Sequence, residues 1–178
     1  MEIHFENDDL GFVDTESGAL LKIGMSSEDV EKLIGAPRTV DRDGFRIYSG
    51  IVIKYDDNGN ASQMIVAAGN MEGDDNPNRF VSPRGVKLST TLDEFKSVYG
   101  DEYNEPSQAA EGDESIKSSA MMAVRYYAKN GDTFNYLGGS YTKENKPEND
   151  ADLIMQTFLF STETKTVSVM SVGNGTAN

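Results

Sequence analysis

The chain has no cysteine and no tryptophan, and its single histidine is His4. Without cysteine it can form neither a disulfide bond nor a thiolate zinc site, and it has no cysteine nucleophile. With one histidine, nearly all histidine-dependent acid–base chemistry and histidine-rich metal sites are also excluded. The sequence therefore predicts neither a metal centre nor a bound cofactor.

Positive charge is scarce, because 16 Lys and Arg stand against 30 Asp and Glu and give a formal net charge of −14. Nucleic-acid binding needs a basic stripe facing the phosphates, and anionic membrane surfaces attract similar basic patches. The basic residues here are scattered singly, so neither partner is expected. The charge instead favours a basic protein partner, with fast and salt-sensitive association.

Long hydrophobic runs are also missing, since no stretch approaches the roughly 18 apolar residues of a transmembrane helix. The first 25 residues do not show the basic-then-apolar order of a signal peptide. The chain contains 17 glycines and 37% hydrophobic residues, which indicates short elements joined by many turns.

Two segments 65 residues apart, 21–35 and 86–100, show the same helical pattern without a gap. Each has a hydroxyl at the N-cap, an acid three positions later, an apolar i, i+3, i+4 stripe and a terminal glycine. These residues are Ser26, Asp29, Val30, Leu33, Ile34 and Gly35 in the first segment, and Thr91, Glu94, Phe95, Val98, Tyr99 and Gly100 in the second. The alternative is that any two short capped helices look alike.

Segments with strand character follow each helical pattern. They are 45–48, 51–55 and 63–68 after the first, and 121–128, 133–137, 153–161 and 166–172 after the second. We therefore predict an α+β fold of two tandem repeats, each a short helical unit packed on an antiparallel sheet. The first repeat covers residues 1–68 and the second covers 85–178, with 69–84 as a polar linker.

The acidic loops are the places where a cation or a substrate could bind. The loop 56–60 has oxygen ligands at alternate positions, but the sixth and twelfth positions of a calcium loop hold Ala61 and Ala67, which favours a hairpin turn. Glycosidase-like chemistry needs two acids at a fixed separation, and none of the many acids has a recognisable context. The long polar segments 104–119 and 138–152 are either functional or disordered.

The first helical segment and the strand after it resemble a known family. The motif runs Ile23-Gly24-Met25-Ser26-x-x-Asp29-Val30-x-x-Leu33-Ile34-Gly35-x-Pro37, followed by an Ile-Val-Ile-Lys-Tyr strand. It resembles the helical unit of the beta-lactamase inhibitory protein fold, and the SmpA/OmlA (BamE) outer-membrane lipoprotein domains carry a similar unit. The resemblance covers residues 20–68 well and 85–137 less closely.

The resemblance implies a fold and a location. Two repeats would place their sheets side by side and form a concave binding surface, with Ser26 as a cap and Val30 and Leu33 in the core. It also implies an extracytoplasmic protein, either secreted or held by a lipid anchor that this sequence would then lack. The chain has no disulfides, and its first hairpin at Tyr48–Ile51 is too short to enter an enzyme pocket, so beta-lactamase inhibition is not expected.

Aromatic residues are the candidate contacts for a protein partner. Tyr126 and Tyr127 are adjacent on a strand and point to opposite faces, so one can be buried while the other is exposed. Tyrosine supplies amphipathic contact area at low entropic cost. The predicted binding residues are Phe45, Tyr48, Tyr126, Tyr136 and Tyr141, whereas packing beneath the helices is favoured for Phe134, Phe158 and Phe160.

These observations predict a non-enzymatic protein–protein interaction module that binds a partner through a concave sheet surface. The alternatives are a carbohydrate-binding or hydrolytic domain that uses acidic loop residues, and a purely architectural envelope lipoprotein domain.

Overall fold

The structure is a computed structural model that describes residues 10–67, 76, 78–100, 107–108, 120–131 and 133–174. The helices are α1 (Ser27–Ile34) and α2 (Leu92–Tyr99). The strands are β1 (Gly11–Asp14), β2 (Leu20–Lys22), β3 (Thr39–Val40), β4 (Arg46–Ile47), β5 (Val52–Tyr55), β6 (Ala61–Ala67), β7 (Phe80–Val81), β8 (Ser107–Gln108), β9 (Ala120–Asn130), β10 (Thr133–Gly138), β11 (Leu153–Ser161) and β12 (Val167–Asn174).

Antiparallel strands dominate the fold, and about 45% of the described residues are in strands against 14% in helices, which include a short 3-10 helix at Asp150–Asp152. A nine-stranded sheet runs in the order β10-β9-β11-β12-β6-β5-β4-β3, with β8 also paired to β9. The prediction of an α+β fold with two tandem helix-on-sheet repeats was therefore wrong, because the molecule is β-rich. Strands β3–β6 after α1 and β8–β12 after α2 form one sheet, since β6 and β12 pair from Ala67–Val169 to Gln63–Gly173 and leave no free edge between them.

Both predicted helices are confirmed. The Ser26 hydroxyl accepts a hydrogen bond from the backbone N–H of Asp29, and Thr91 and Glu94 form a reciprocal capping box. Glycines with positive φ end both helices, at 86° for Gly35 and 60° for Gly100. The predicted apolar stripes are only partly buried, because Leu33 is 43% exposed and Val98 is 38% exposed, so the prediction of Leu33 in the core was wrong.

The start of each helix is tied to the turn that precedes a central strand. Before α1, the Gly24 N–H donates to the Ala61 carbonyl and the Ala61 N–H donates to the Met25 carbonyl, both at 2.8 Å. Before α2, the Ser89 N–H donates to the Val167 carbonyl at 2.9 Å, and the Val167 N–H donates to the Thr90 carbonyl at 2.8 Å. The backbone has positive φ at both first positions, 91° at Gly24 and 73° at Ser89.

The core lies on one face of the large sheet, beneath the helices and the small sheet β2-β1-β7. It includes Val30, Phe95 and Tyr99 from the helices, Phe12, Leu21 and Phe80 from the small sheet, and Ile53, Met64, Val66, Tyr127, Phe158, Phe160, Met170 and Val172 from the large sheet. Phe158 and Phe160 therefore pack beneath α2, as predicted. Phe134 is partly buried against the same cluster.

The small sheet includes one end of the segment that was predicted as a linker, because Phe80 is fully buried in β7. A bidentate ion pair holds this end, with Arg79 Nε and a terminal nitrogen each 3.0 Å from the carboxylate of buried Asp14. Burial opposes ionisation of Asp14, but hydrogen bonds from Arg79, Ser17 and the Glu16 N–H hold its pKa below the usual value.

Several predictions fall where the structure is not described. His4, residues 69–75 of the linker and most of the segment 104–119 lie outside the described residues. Within the part of the chain that is described, neither helix has the length and apolar character needed to cross a bilayer.

Candidate functional site

Side chains on the large sheet divide between two faces. Directly opposed residues of antiparallel strands project to the same side, and successive residues project to opposite sides. Ile53, Met64 and Val172 face the core, so their strand neighbours face away from the helices. We call this second side the outer face; it consists of Phe45, Ile47, Val52, Lys54, Gln63, Ile65, Ala67, Val169, Ser171, Gly173, Met155, Thr157, Leu159, Met122, Val124 and Tyr126.

The outer face is mostly apolar. One row crosses the sheet from Ile47 through Val52 to Ile65, and a second joins Val169 to Leu159 and Met122. These residues are half-buried and do not belong to the core cluster. An antiparallel sheet with one face in water usually alternates apolar residues inside with polar residues outside. The outer face departs from this pattern, and one of its residues, Val124, is only 2% exposed within the chain itself.

Three of the predicted binding residues lie on or beside the outer face. Tyr126 is half-buried in β9, and Tyr141 from the loop after β10 packs against it with ring centroids 5.0 Å apart and planes at 75°. Burial, together with the neighbouring Tyr141, raises the pKa of Tyr126. At the other end of the face, Lys54 Nζ lies 5.3 Å from the ring centroid of Phe45.

The structure places the predicted residue Tyr48 on the opposite side, beneath α1. Tyr48 is 1% exposed, and its hydroxyl donates to Glu31 Oε1 at 3.0 Å and contacts the Tyr55 hydroxyl at 2.8 Å. Arg46 also bonds Glu31 Oε1 at 3.0 Å, and its guanidinium lies over the Tyr55 ring. Burial raises the pKa of Tyr48, and the Glu31 carboxylate acts in the same direction. Tyr48 thus holds the helix to the sheet rather than contributing to the outer face.

Tyr136 is also on the helix side, where it belongs to a cluster around Arg125. The Arg125 guanidinium carbon lies 4.8 Å from the ring centroid of Tyr136, 5.0 Å from that of Tyr99 and 5.5 Å from that of Tyr127. Arg125 is 2% exposed and donates to Gln156 Oε1 at 2.7 Å. Sequence reasoning missed this cluster, although an arginine between Ala123 and Tyr127 on the buried side of an alternating strand was a visible signal.

The described acidic residues do not form a metal site: no three acidic or histidine side chains in that part of the chain lie close enough to hold an ion. In the loop 56–60, Asp56 Oδ1 accepts hydrogen bonds from the backbone N–H groups of Asn58 and Asn60, at 2.9 and 3.0 Å. The loop joins β5 to β6, which confirms the predicted hairpin turn.

A cleft of about 380 Å³ opens on the helix side, at the end of the sheet formed by the β5–β6 and β9–β10 turns. Its walls combine apolar Ile23, Phe134 and Ile154 with Lys129 and Asp56. Asp56 is the one carboxylate among its described lining residues, and its Oδ1 atom already accepts two turn amides. The cleft therefore does not offer the carboxylate pair that glycoside hydrolysis uses.

Comparison of the chain with protein-family models, with curated proteins and with solved structures found no match.

Proposed function

We propose that this protein is a non-enzymatic interaction module that binds a basic protein partner through the outer face of its large sheet. The observation that carries the proposal is the run of apolar side chains at outward positions of β4, β5, β6, β12, β11 and β9. Contiguous apolar surface on a folded protein commonly marks an interaction site, because its removal from water favours association.

The layout of the outer face fits a protein interface better than a small-ligand site. Its centre contains Ile65, Leu159 and Val169 with the small polar residues Ser171 and Thr157 between them, and Lys54 lies at its side. Protein interfaces typically have a centre depleted of charge and a polar rim. A pair of sheets packed face to face is one established way to bury such a surface.

Charge argues for a different protein rather than a second copy of this chain. Two copies would bring together molecules that each have a formal net charge of −14. Like charges oppose association, whereas a partner with a basic rim around an apolar patch would be attracted over a longer range. The partner proposed is therefore a basic protein.

We also propose that the protein acts outside the cytoplasm, as a secreted or lipid-anchored protein. Support comes from the resemblance of the segment Ile23 to Pro37 to the beta-lactamase inhibitory protein fold and to the SmpA/OmlA (BamE) lipoprotein domains. Mass spectrometry of the native N-terminal peptide tests this location, and a native protein that retains an unprocessed cytoplasmic N-terminus would contradict it.

The test of function is a pull-down from an extract of the source cells, with the wild type and two lysine variants. Ser171→Lys places a long cation at the centre of the outer face, where a small polar residue already stands. Leu33→Lys makes a matched charge change on α1, where Leu33 is 43% exposed. We expect the wild type and Leu33→Lys to retain the same basic protein, and Ser171→Lys to bind it about tenfold or more weakly, a difference of about 1.4 kcal/mol.

Raising the salt concentration should weaken the captured complex, because a charge-steered association is screened. Circular dichroism and thermal unfolding of the variants show whether they fold as the wild type does. Equal capture by the wild type and a folded Ser171→Lys variant would reject the outer face as the binding surface.

A further inference from the structure

We propose that Asn130 is a site of spontaneous deamidation, in which the backbone nitrogen of Gly131 attacks the side-chain amide. An Asn-Gly pair favours this reaction, because glycine has no Cβ to block the approach of its nitrogen to the preceding side chain. The sequence contains three such pairs, Asn58-Gly59, Asn130-Gly131 and Asn174-Gly175, and Gly175 lies outside the described residues. The structure distinguishes the other two.

The reaction consumes one water molecule and releases ammonia. The Gly131 nitrogen gives up its proton and forms a bond to Cγ of Asn130, while the bond from Cγ to the side-chain nitrogen breaks and that nitrogen leaves with the proton as ammonia. Water then opens the resulting succinimide ring at one of its two carbonyls and returns a proton to the Gly131 nitrogen. Opening at Cγ gives aspartate, and opening at the backbone carbonyl gives isoaspartate.

The two described Asn-Gly turns lie at the same cleft and have similar glycine conformations. Asp56 in the β5–β6 turn and Gly131 in the β9–β10 turn both line the cleft. The φ angle is 78° at Gly59 and 64° at Gly131. Asn58 and Asn130 are both exposed. Neither the glycine conformation nor the exposure of the asparagine therefore separates the two sites.

Hydrogen bonds hold the attacking nitrogen of the β5–β6 turn. The Gly59 N–H donates to the Asp56 carbonyl at 2.9 Å, and the Gly59 carbonyl accepts from the Ser27 N–H at 2.9 Å. The Asn58 N–H donates to Asp56 Oδ1, also at 2.9 Å. The Gly59 nitrogen must give up its hydrogen bond before it can attack, in a turn that is tied to the start of α1. Asn58 is therefore protected.

The nitrogen of Gly131 is not held in this way. Among the described residues, none accepts a hydrogen bond from the Gly131 N–H, and Gly131 is exposed. The Thr133 hydroxyl donates to the Asn130 carbonyl at 2.8 Å. This carbonyl belongs to the same peptide unit as the Gly131 nitrogen, so a hydrogen bond to its oxygen draws electron density from the nitrogen and makes the N–H easier to deprotonate. Asn130 is thus the faster site.

Deamidation changes both the charge and the backbone of the β9–β10 turn. A carboxylate at position 130 adds a negative charge next to Lys129, which lines the cleft. Isoaspartate also inserts a methylene group into the backbone of a tight hairpin whose ends, Asn130 and Thr133, are paired. Because the turn fixes the register of a hairpin, we expect this product to loosen the pairing of β10 with β9.

The experiment is an incubation of the full chain in mildly alkaline buffer, followed by peptide mapping with mass spectrometry. We expect Asn130 to deamidate about fivefold or more faster than Asn58, because the Gly59 nitrogen must first break a hydrogen bond. In concentrated urea the turns unfold, and the two rates should lie within about twofold of each other. Equal rates at the two sites in the folded protein, or a faster reaction at Asn58, would overturn the inference.

Two variants test the site and the cause of the difference. Asn130→Gln should abolish the main product, because glutamine would have to close a larger ring. Asp56→Ala removes the carboxylate that holds the Asn58 and Asn60 N–H groups, so it should speed deamidation of Asn58 by about twofold or more and leave Asn130 within about twofold of the wild type. Circular dichroism verifies that both variants fold. A main product that persists in Asn130→Gln, or an unchanged Asn58 rate in folded Asp56→Ala, would also reject the inference.

Discussion

The two helices pack on the same face of one sheet but hold to it by different means. α1 packs Val30 in the core and Ile34 against it, and it adds a polar contact with the sheet, through Glu31 to Arg46 and Tyr48. α2 buries Phe95 and Tyr99. Phe95 packs against Phe158 and Phe160 in tilted and edge-to-face geometry, with ring centroids 4.9 and 5.1 Å apart.

This difference shows that helices can be held on one sheet face by aromatic packing or by a hydrogen-bonded network. Aromatic packing contributes stability through buried area and close contact, and it does not depend on pH or salt. A hydrogen-bonded network contributes less net free energy for each bond, but it leaves a large penalty when one member is removed. The region around α2 should therefore carry more of the stability, and the region around α1 should be the more sensitive to pH.

The largest effect is expected for Phe95→Ala. Phe95 is fully buried among Tyr99, Phe158 and Phe160, so truncation removes apolar burial and leaves a cavity. We expect a loss of about 3–5 kcal/mol in the free energy of unfolding, measured by urea denaturation. Val98→Ala on the same helix, at a residue 38% exposed, should cost less than about 1 kcal/mol. Similar losses for the two variants would show that α2 does not anchor the sheet.

An intermediate effect is expected for Tyr48→Phe, which removes the hydroxyl that joins Glu31 to Tyr55. The change should lower the free energy of unfolding by about 1–2 kcal/mol at neutral pH, because buried partners lose a hydrogen bond. Tyr141→Phe, which removes a hydroxyl from a more exposed ring, is the control and should change stability by less than about 0.5 kcal/mol.

The same tyrosines give the α1 region an alkaline pH dependence. Burial raises the pKa of both Tyr48 and Tyr55 in the folded state. A raised pKa means that the folded state keeps protons that the unfolded state releases above about pH 10, so stability is complete below that pH and falls as the pH rises further. Urea denaturation between pH 8 and about pH 11 should show this fall, and a smaller fall in Tyr48→Phe. If Tyr48→Phe has the same pH profile as the wild type, Tyr48 does not contribute to the alkaline loss of stability.

The sequence was sufficient for the helices because the signals that place them are local. Ser26 and Thr91 as caps, and Gly35 and Gly100 as terminators, act within a single helix. The single sheet was not predictable in the same way. It depends on β6 pairing with β12, about 100 residues further along the chain, and no local pattern encodes which strands become neighbours.

The candidate site was only partly predictable for a related reason. Alternation correctly separated Tyr126 from Tyr127, which is fully buried. It did not indicate which side the helices would cover, so Tyr48 and Tyr136 were grouped with Tyr126 although they lie on the other face. The apolar residues of the outer face, such as Ile65 and Leu159, look like core residues in the sequence. Only the paired strands reveal that they face away from the core.

The smallest effect should come from exchanging residues between the two helix starts. Ser89 has a φ of 73°, a conformation that costs a non-glycine residue about 1–2 kcal/mol, whereas Gly24 adopts the equivalent backbone freely. Ser89 is exposed, so Ser89→Gly removes strain without removing packing. After the extra entropy of glycine in the unfolded chain is subtracted, we expect a gain of about 0.5–1 kcal/mol in the free energy of unfolding.

Gly24→Ser is the reciprocal variant. A Cβ at position 24 would have no neighbouring atom within 4 Å, so any loss of stability must come from the backbone conformation alone. We expect a loss of about 1 kcal/mol by urea denaturation, opposite in sign to the effect of Ser89→Gly. If both changes raise or both lower the free energy of unfolding, the backbone conformations at the two helix starts do not carry the same cost for a residue with a side chain. The similar hydrogen bonds to Ala61 and to Val167 would then not impose the same conformational cost on Gly24 and Ser89.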